Sequence, residues 1–369
     1  MTSRVIVSVL TPRQGYGPRS HGAIALDIHE CHGRSKHGNH WVFGTEPGPW
    51  FDPEWFVQIK KRWPWQKNTE GQYAARMIPR LRSINPDLIE VHNSGLVAEF
   101  LAEKLDVPVV LFLHNDLAAT SGYAHPRDRQ RVADKVAGLF FVSDYLRGRF
   151  LENGVQARGL VRVVYNGVHW PETVPPEEGR KKQIVYVGRI HEEKGVFNLM
   201  DALPDVFARH PDWTATVIGP PSYRNMGRKN KRVRRFQGLL QRMQPRVRHF
   251  NFLPQEQVSM ILQTSSVAVT PAVWCEPFGR TSVEAMANGV PLISSRRGGL
   301  QEVLSDDCAI IIDPESPDSI RDGIERLIAS SSLRREYGDS GRRRARDFSI
   351  ENSVKSLDAA RNDLFASIL

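Results

Sequence analysis

The chain has 369 residues, a length that fits two domains of ordinary size. Hydrophobic residues make up 40% and charged residues 25%, which excludes a largely disordered, collagenous or disulfide-framework chain. Lys plus Arg number 50 against 41 Asp plus Glu, and the resulting charge of +9 points to an anionic partner: a phosphorylated ligand, nucleic acid or a membrane surface.

The three cysteines, Cys31, Cys275 and Cys308, are far apart, which fits a reducing compartment. No apolar run approaches the roughly 20 residues of a spanning helix. The apolar stretch 5–10 is followed by Pro12, Arg13 and Gln14, and it reads as a first strand, not a signal peptide. A cytoplasmic location is expected, extended by a peripheral place on the inner face of the cytoplasmic membrane if the charge meets lipid.

Strands are expected at 5–10, 88–92, 109–114 and 139–143, with a Gly-rich turn at 15–22 and helices at 96–105 and 129–137. Several of these strands run into polar residues at their C-terminal ends: His92-Asn93, His114-Asn115, Ser143-Asp144. That edge of an open α/β sheet is where ligands bind. The stretch 170–182, with Pro171, Pro175, Pro176 and Gly179, reads as a linker. A second series follows, with strands at 184–187, 214–218, 267–270, 291–295 and 309–312 and a helix at 196–208. The tail from 318 reads as helical. The pattern predicts an α/β chain of two doubly wound domains facing a cleft, 1–169 and 183–348. A C-terminal helix at 349–369 can cross back to the first domain.

In the first half, His29, Cys31, His32, His37 and His40 form a dense cluster, read either as a zinc site or as a polar acceptor loop. Trp41, Trp50, Trp55, Trp63 and Trp65 follow closely. They suit sugar stacking, a lipid interface or a small satellite core.

The strongest local signal runs from Glu276 to Pro291, with Glu276 and Glu284 eight residues apart. Phe278, Gly279 and Arg280 would begin a helix reaching about Asn288, and orphan N–H groups at such an end attract anions. Glu284 can accept hydrogen bonds from vicinal hydroxyls such as those of ribose. Thr281-Ser-Val-Glu284 also fits a capping box, in which Glu284 would only cap its own helix. Two further motifs are Gly188-Arg189-Ile-His-Glu-Glu-Lys194-Gly195 and Gly298-Gly299-Leu300-Gln-Glu302-Val303.

In order and spacing these three motifs, with Tyr165-Asn166-Gly167-Val168 before them, resemble the retaining glycosyltransferases of family 4, of the bacterial lipopolysaccharide and surface-polysaccharide type. The resemblance implies the GT-B fold of two Rossmann-like domains and a hexosyltransferase that needs no metal and no cofactor. The donor substrate would be a UDP- or GDP-linked sugar. Catalytic residues would be Glu276, His114, Arg189 and Lys194. Donor-binding residues would be Arg189 and Lys194 at the diphosphate, Glu276 at the sugar with Phe278 and Gly279, Arg280 and Thr281 near the phosphates, and Glu284 at the ribose. Gly15, Gly17, His92 and Ser143 are acceptor candidates. Gly15-Tyr-Gly-Pro-Arg-Ser-His-Gly22 departs from the family's usual Gly-Gly loop, and no Asp-x-Asp metal motif occurs.

Between 222 and 250 stand ten cations and no acid: Arg224, Arg228, Lys229, Lys231, Arg232, Arg234, Arg235, Arg242, Arg246 and Arg248. Val233, Phe236, Leu239, Leu240 and Met243 form one helical apolar face among them. Three readings are open for this stretch: an anionic membrane surface, a phosphorylated glycolipid acceptor, or a solvated face. The expected activity is sugar transfer to a hydroxyl of a glycan or glycolipid acceptor. The alternatives are a soluble-acceptor sugar or sugar-phosphate synthase and, remotely, a nucleic-acid-binding protein. No nucleic-acid motif supports the last.

Overall fold

The computed structural model describes residues 4–12, 14–18, 20–60, 69–120, 122–220 and 231–368. They form two compact units, one of residues 1–167 with 350–369, the other of residues 168–349.

The first unit is built on seven parallel strands: β1 (Val5–Val9), β2 (Asn39–Gly44), β3 (Phe56–Gln58), β4 (Leu88–His92), β5 (Val109–Leu113), β6 (Gly138–Phe141) and β7 (Leu160–Val163). Their order is β3-β2-β1-β4-β5-β6-β7. The run Val-Val-Leu-Phe-Leu of β5 is buried at every position, as a strand covered on both faces requires. β2, β3 and β7 were not expected from the sequence.

The second unit repeats the plan with β8 (Lys181–Val187), β9 (Thr214–Ile218), β10 (Val247–Phe250), β11 (Ser265–Thr270), β12 (Leu292–Ser294) and β13 (Ile310–Ile311), in the order β10-β9-β8-β11-β12-β13. Both are Rossmann-like sheets, wound outward in both directions from the first strand. The order reverses between β1 and β4 in one unit and between β8 and β11 in the other. The core of the second unit joins the apolar faces of helices Val196–Arg209 and Pro317–Ala329 to Ile184, Val217, Val267 and Ile293 of the sheet.

The segment read as a linker belongs to the second unit. The side chain of Arg180 is 2% exposed and donates to the carbonyls of Gln263, Ser265 and Asn288 at 3.0–3.1 Å, while Glu177 pairs with Arg334. The prolines punctuate the chain, but these charges tie it down. The chain passes from the first unit to the second at Gly167 and Val168 and returns at Ser349 and Ile350.

The returning helix, Ile350–Ser367, packs in the first unit through a buried bidentate pair. Arg361 donates from Nε and Nη2 to the two carboxylate oxygens of Glu90 in β4, both at 2.8 Å, and both side chains are 1% exposed. Burial alone would raise the Glu90 carboxyl, but Arg361 overrides it and holds it at about 2. Asp358, one turn earlier, accepts from Ser35 Oγ and Lys36 N.

The basic helix Lys231–Arg242 turns its apolar face inward. Val233 and Phe236 are buried, and Leu239 and Leu240 pack against the same core. The face suspected of meeting lipid is therefore already covered by protein. Arg232 pairs with Glu192, Arg235 with Asp201, and Arg246 donates to the Phe207 carbonyl. Lys231, Arg234, Arg242 and Arg248 are exposed. Arg224, Arg228 and Lys229 lie outside the described residues.

Removing one partner of a buried ion pair leaves the other charge uncompensated, at a cost of about 3–5 kcal/mol. Arg361→Ala is expected to destabilise the first unit by that amount, read as a fall in the urea midpoint. The double variant Glu90→Leu, Arg361→Met should recover most of it. Equal midpoints for Arg361→Ala and the wild type would contradict the role assigned to the pair.

Candidate active site

The reversal point of the second sheet gathers the motif residues. The chain leaves β8 through Gly188 and the half-buried Arg189, then makes a short 3-10 turn, Glu192–Lys194. Gly195 follows with φ +69°, and a Cβ there would lie 1.7 Å from the Pro271 carbonyl just after β11. Only glycine lets the Lys194 turn press against that exit.

Across this gap Lys194 Nζ meets Glu276 Oε1 at 2.5 Å, with side chains 20% and 12% exposed. The ammonium also sits 4.6 Å from the Trp274 ring centre, a cation–π contact. The Glu276 backbone is gripped by the Gly-Gly turn. Glu276 bridges Gly298 in parallel fashion, and Gly299 N donates to its carbonyl at 2.6 Å. Gly298 has φ +65°, and a Cβ on it would lie 2.4 Å from the Glu276 carbonyl oxygen. The second glycine motif thus positions the first carboxylate.

The helix after Glu276 runs Arg280–Ala287, with Gly279 at its N-cap in the left-handed region. The capping-box reading of Glu284 fails here, because Gly279 and not Thr281 occupies the cap and no side chain caps the turn. Instead Glu284 Oε1 accepts from Arg280 Nε at 2.9 Å and from Gln255 Nε2 at 3.0 Å, with 7% of the side chain exposed. Thr281 is half-buried beside them in the first turn, and Phe278 is buried edge-on to Phe348.

Three residues at this site escaped the sequence reading. Gln255 follows β10 and carries no motif. Trp274 stood in plain view two residues before Glu276. Tyr186, in β8, donates to the Arg189 carbonyl at 2.9 Å, and burial with Glu276 nearby pushes its hydroxyl up. Its signal was a polar aromatic within the aliphatic end of the strand, Ile184-Val-Tyr-Val187.

The first unit has its own polar line at the β1–β4 reversal. His114 Nε2 meets His92 Nδ1 at 2.9 Å; His92 Nε2 meets Ser8 Oγ at 3.3 Å; Ser8 Oγ meets His40 Nε2 at 2.7 Å. His92 is 2% exposed and its ring is taken up by this line, so it does not offer itself to an acceptor as expected. Ser143 also departs from the acceptor reading: it is fully buried and caps helix Asp144–Leu151 by accepting from Leu146 N. Gly15 and Gly17 lie against the Ser20 and Pro49 carbonyls, so they shape their own loop.

The histidine-rich cluster divides. His29 Nδ1 bonds Asp52 at 2.9 Å, Tyr16 donates to the same carboxylate, and His32 lies 3.5 Å from it. His40 belongs to the other line. Of the tryptophans in this stretch, Trp50 joins a satellite core, stacking on Phe56 and packing with Tyr16, Ile24 and Val42, while Trp41 meets Trp55 edge-on. Trp63 and Trp65 lie outside the described residues.

Burial pushes His92 down to about 4, with Glu90 opposing, and holds His40 and His114 well below the usual imidazole range. These rings fold neutral, while the unfolded chain protonates them near pH 6.5. Between about pH 6.5 and 4 the unfolded state therefore binds more protons, and stability falls as pH falls. His92 alone would contribute ~3 kcal/mol, lost across that window. The urea midpoint should drop steadily from pH 7 to pH 4.5; a flat profile would contradict neutral burial of the three rings.

Residues 172–344 match the family described as glycosyl transferases group 1, and residues 23–169 match glycosyltransferase family 4. Spore coat protein SA of Bacillus subtilis (strain 168) is 29% identical over 295 residues, covering 75% of this chain and 78% of that protein. Among solved structures, sucrose-phosphate synthase from Thermosynechococcus elongatus superposes with a TM-score of 0.80 at 20% identity, over 99% of this chain and 100% of that one. HepE of Anabaena, in complex with UDP and glucose, gives a TM-score of 0.78 at 17% identity over 99% and 100%. At these identities the structural likeness carries the fold, and the two family matches together span most of the sequence. The chain belongs to the glycosyltransferases of the GT-B fold, with a family 4 domain followed by a group 1 domain.

Proposed function

We propose that this glycosyltransferase is a metal-independent retaining hexosyltransferase that moves a sugar from a nucleoside-diphosphate sugar to a hydroxyl of a glycan or glycolipid. The observation that carries the reading is the Lys194–Glu276 pair at the sheet's reversal point, with the Arg280–Glu284 pair one helix start away. A carboxylate at each end suits the two hydroxyl-bearing parts of such a donor, and the cations suit the diphosphate between them.

Arg189 and Lys194 would meet the charge that grows on the leaving diphosphate, which fixed cations stabilise without a metal. Glu276 would hold the transferred sugar with the backbone of Phe278 and Gly279; Arg280 and Thr281 would lie near the phosphates, and Glu284 would bind the ribose. The bond from the anomeric carbon to phosphate oxygen breaks as the acceptor oxygen bonds that carbon on the same face. The acceptor proton passes to the departing phosphate oxygen. Retention follows, through an oxocarbenium-like transition state. His114, in the first unit, would contact the sugar near the reacting carbon.

UDP is favoured over GDP because the structural relative HepE is a UDP and glucose complex. A surface polysaccharide such as lipopolysaccharide core is the acceptor class suggested by the family and by the positive charge. Among the described residues no helix is long and apolar enough to cross a membrane. Contact with the cytoplasmic membrane would therefore rest on exposed cations such as Arg234, Arg242 and Arg248, each worth about 1 kcal/mol at an anionic surface.

Glu276→Ala and Lys194→Ala should each lower transfer by about 100-fold or more with the fold retained, and activity should survive EDTA. Near-wild-type turnover in either variant, or strict metal dependence, would overturn the site assignment. Reversing Arg234, Arg242 and Arg248 to Glu should weaken binding to vesicles rich in anionic lipid. Binding unchanged by reversal would sink the membrane contact, and full activity without lipid would favour a soluble acceptor.

A further inference from the structure

The buried line in the first unit has a direction. Each neutral imidazole carries one proton, and Ser8 Oγ can donate only once. Three arrangements satisfy the links, but the one in which Ser8 Oγ accepts from both His92 Nε2–H and His40 Nε2–H leaves the hydroxyl proton of the fully buried Ser8 without an acceptor among the described residues, so two remain. In one, His92 Nδ1–H donates to His114 Nε2, Ser8 donates to His92 Nε2, and His40 Nε2–H donates to Ser8. His114 then carries its proton on Nδ1. In the other, every proton is reversed, and His114 Nδ1 is bare.

The two ends decide between them. His40 Nδ1, His114 Nδ1 and Asn166 Oδ1 are buried without hydrogen-bond partners among the described residues. The reversed arrangement would leave His40 Nδ1–H as an orphaned buried donor, which folded proteins tolerate least. It would also leave a bare His114 Nδ1 near Asn166, which acts on His114 in the direction of a hydrogen-bond acceptor. The first arrangement leaves only a lone pair at His40 and turns the buried N–H of His114 toward Asn166. The surroundings hold the geometry: His92 and His114 both stack on Phe112, with ring centres 5.3 and 4.5 Å away.

We infer that Ser8 and His92 are positioning residues that fix His114 as the neutral tautomer protonated on Nδ1, with that N–H turned to Asn166. Glu90 and Arg361 neutralise each other beneath the line, and His32 meets His40 only edge-on at 5.1 Å, so neither supplies a competing proton link. The tautomer rests on the hydrogen-bond line alone. The effect on turnover rests also on the proposed role of His114 in sugar transfer.

Nitrogen-15 NMR of protein labelled at histidine reads which ring nitrogen carries the proton, with His114→Gln assigning the resonances. The wild type should show His114 protonated on Nδ1. His92→Phe fills the ring's volume without the proton link, and it should give a mixture of tautomers. It should also lower kcat roughly 10–100-fold, the range seen when an orienting partner of a functional histidine is removed, with little change in donor KM. Ser8→Ala, a smaller change, should shift the tautomer in the same sense, and His92→Asn, which restores a donor near the Nδ1 position, should rescue both readouts. A wild-type His114 protonated on Nε2, or a tautomer unmoved in both His92→Phe and Ser8→Ala, would overturn the inference. Wild-type turnover in His114→Ala would instead remove the role of His114 in transfer and leave the tautomer result standing.

Discussion

A parallel sheet wound both ways from its first strand has one constraint that this molecule uses twice. The connections leaving the two central strands run to opposite faces, so no helix covers the C-terminal ends where they part. That gap is the one place where polar side chains can stand at the end of a buried sheet. In the second unit it holds Lys194, Glu276 and the start of helix Arg280–Ala287. In the first it holds Ser8, His92 and His114. One uses charges and the other neutral rings. That difference suits the proposed function, in which the charged end would hold the phosphorylated donor.

Charge in the interior is compensated pair by pair. Glu90 faces Arg361, Arg280 faces Glu284, and Arg180 is surrounded by carbonyls. Such pairs add little net stability, since desolvation offsets most of the attraction, but they fix geometry. At Lys194 and Glu276 the same pairing keeps both groups ordered. Their partial exposure sets them apart from the pair of Glu90 and Arg361, which is almost fully buried. Elsewhere, the basic helix Lys231–Arg242 carries exposed cations such as Lys231, Arg234 and Arg242 opposite an apolar side that closes the core.

The site of the second unit was readable in the sequence because its geometry is made by backbone contacts that only certain residues permit. Gly195 and Gly298 stand at fixed spacings from Lys194 and Glu276 because a side chain at either would strike the opposite loop. The alternation of buried strands and helices was readable for a similar reason: β5 is apolar throughout. Other features were not. β3, β7 and β10 lie at sheet edges and are three or four residues long, with Gln58, Arg162 and Arg248 among them, so composition says little. The apolar stripe of helix Lys231–Arg242 looks the same whether it meets lipid or protein. The local sequence of Thr281–Glu284 offered a cap that Gly279 had already taken. The histidine line joins residues from four strand regions, and no spacing along the chain announces it.

The first unit is discontinuous in sequence, and this matters before the protein is ever at work. Glu90 emerges from the ribosome 271 residues ahead of the arginine that neutralises it. At about 5–20 residues per second, that interval is on the order of tens of seconds. During it, the helix that covers β4 does not yet exist, and a carboxylate destined for the interior must stay hydrated. The second unit, complete within residues 168–349, can close first. Helix Ile350–Ser367 then acts as a latch on a sheet made well before it.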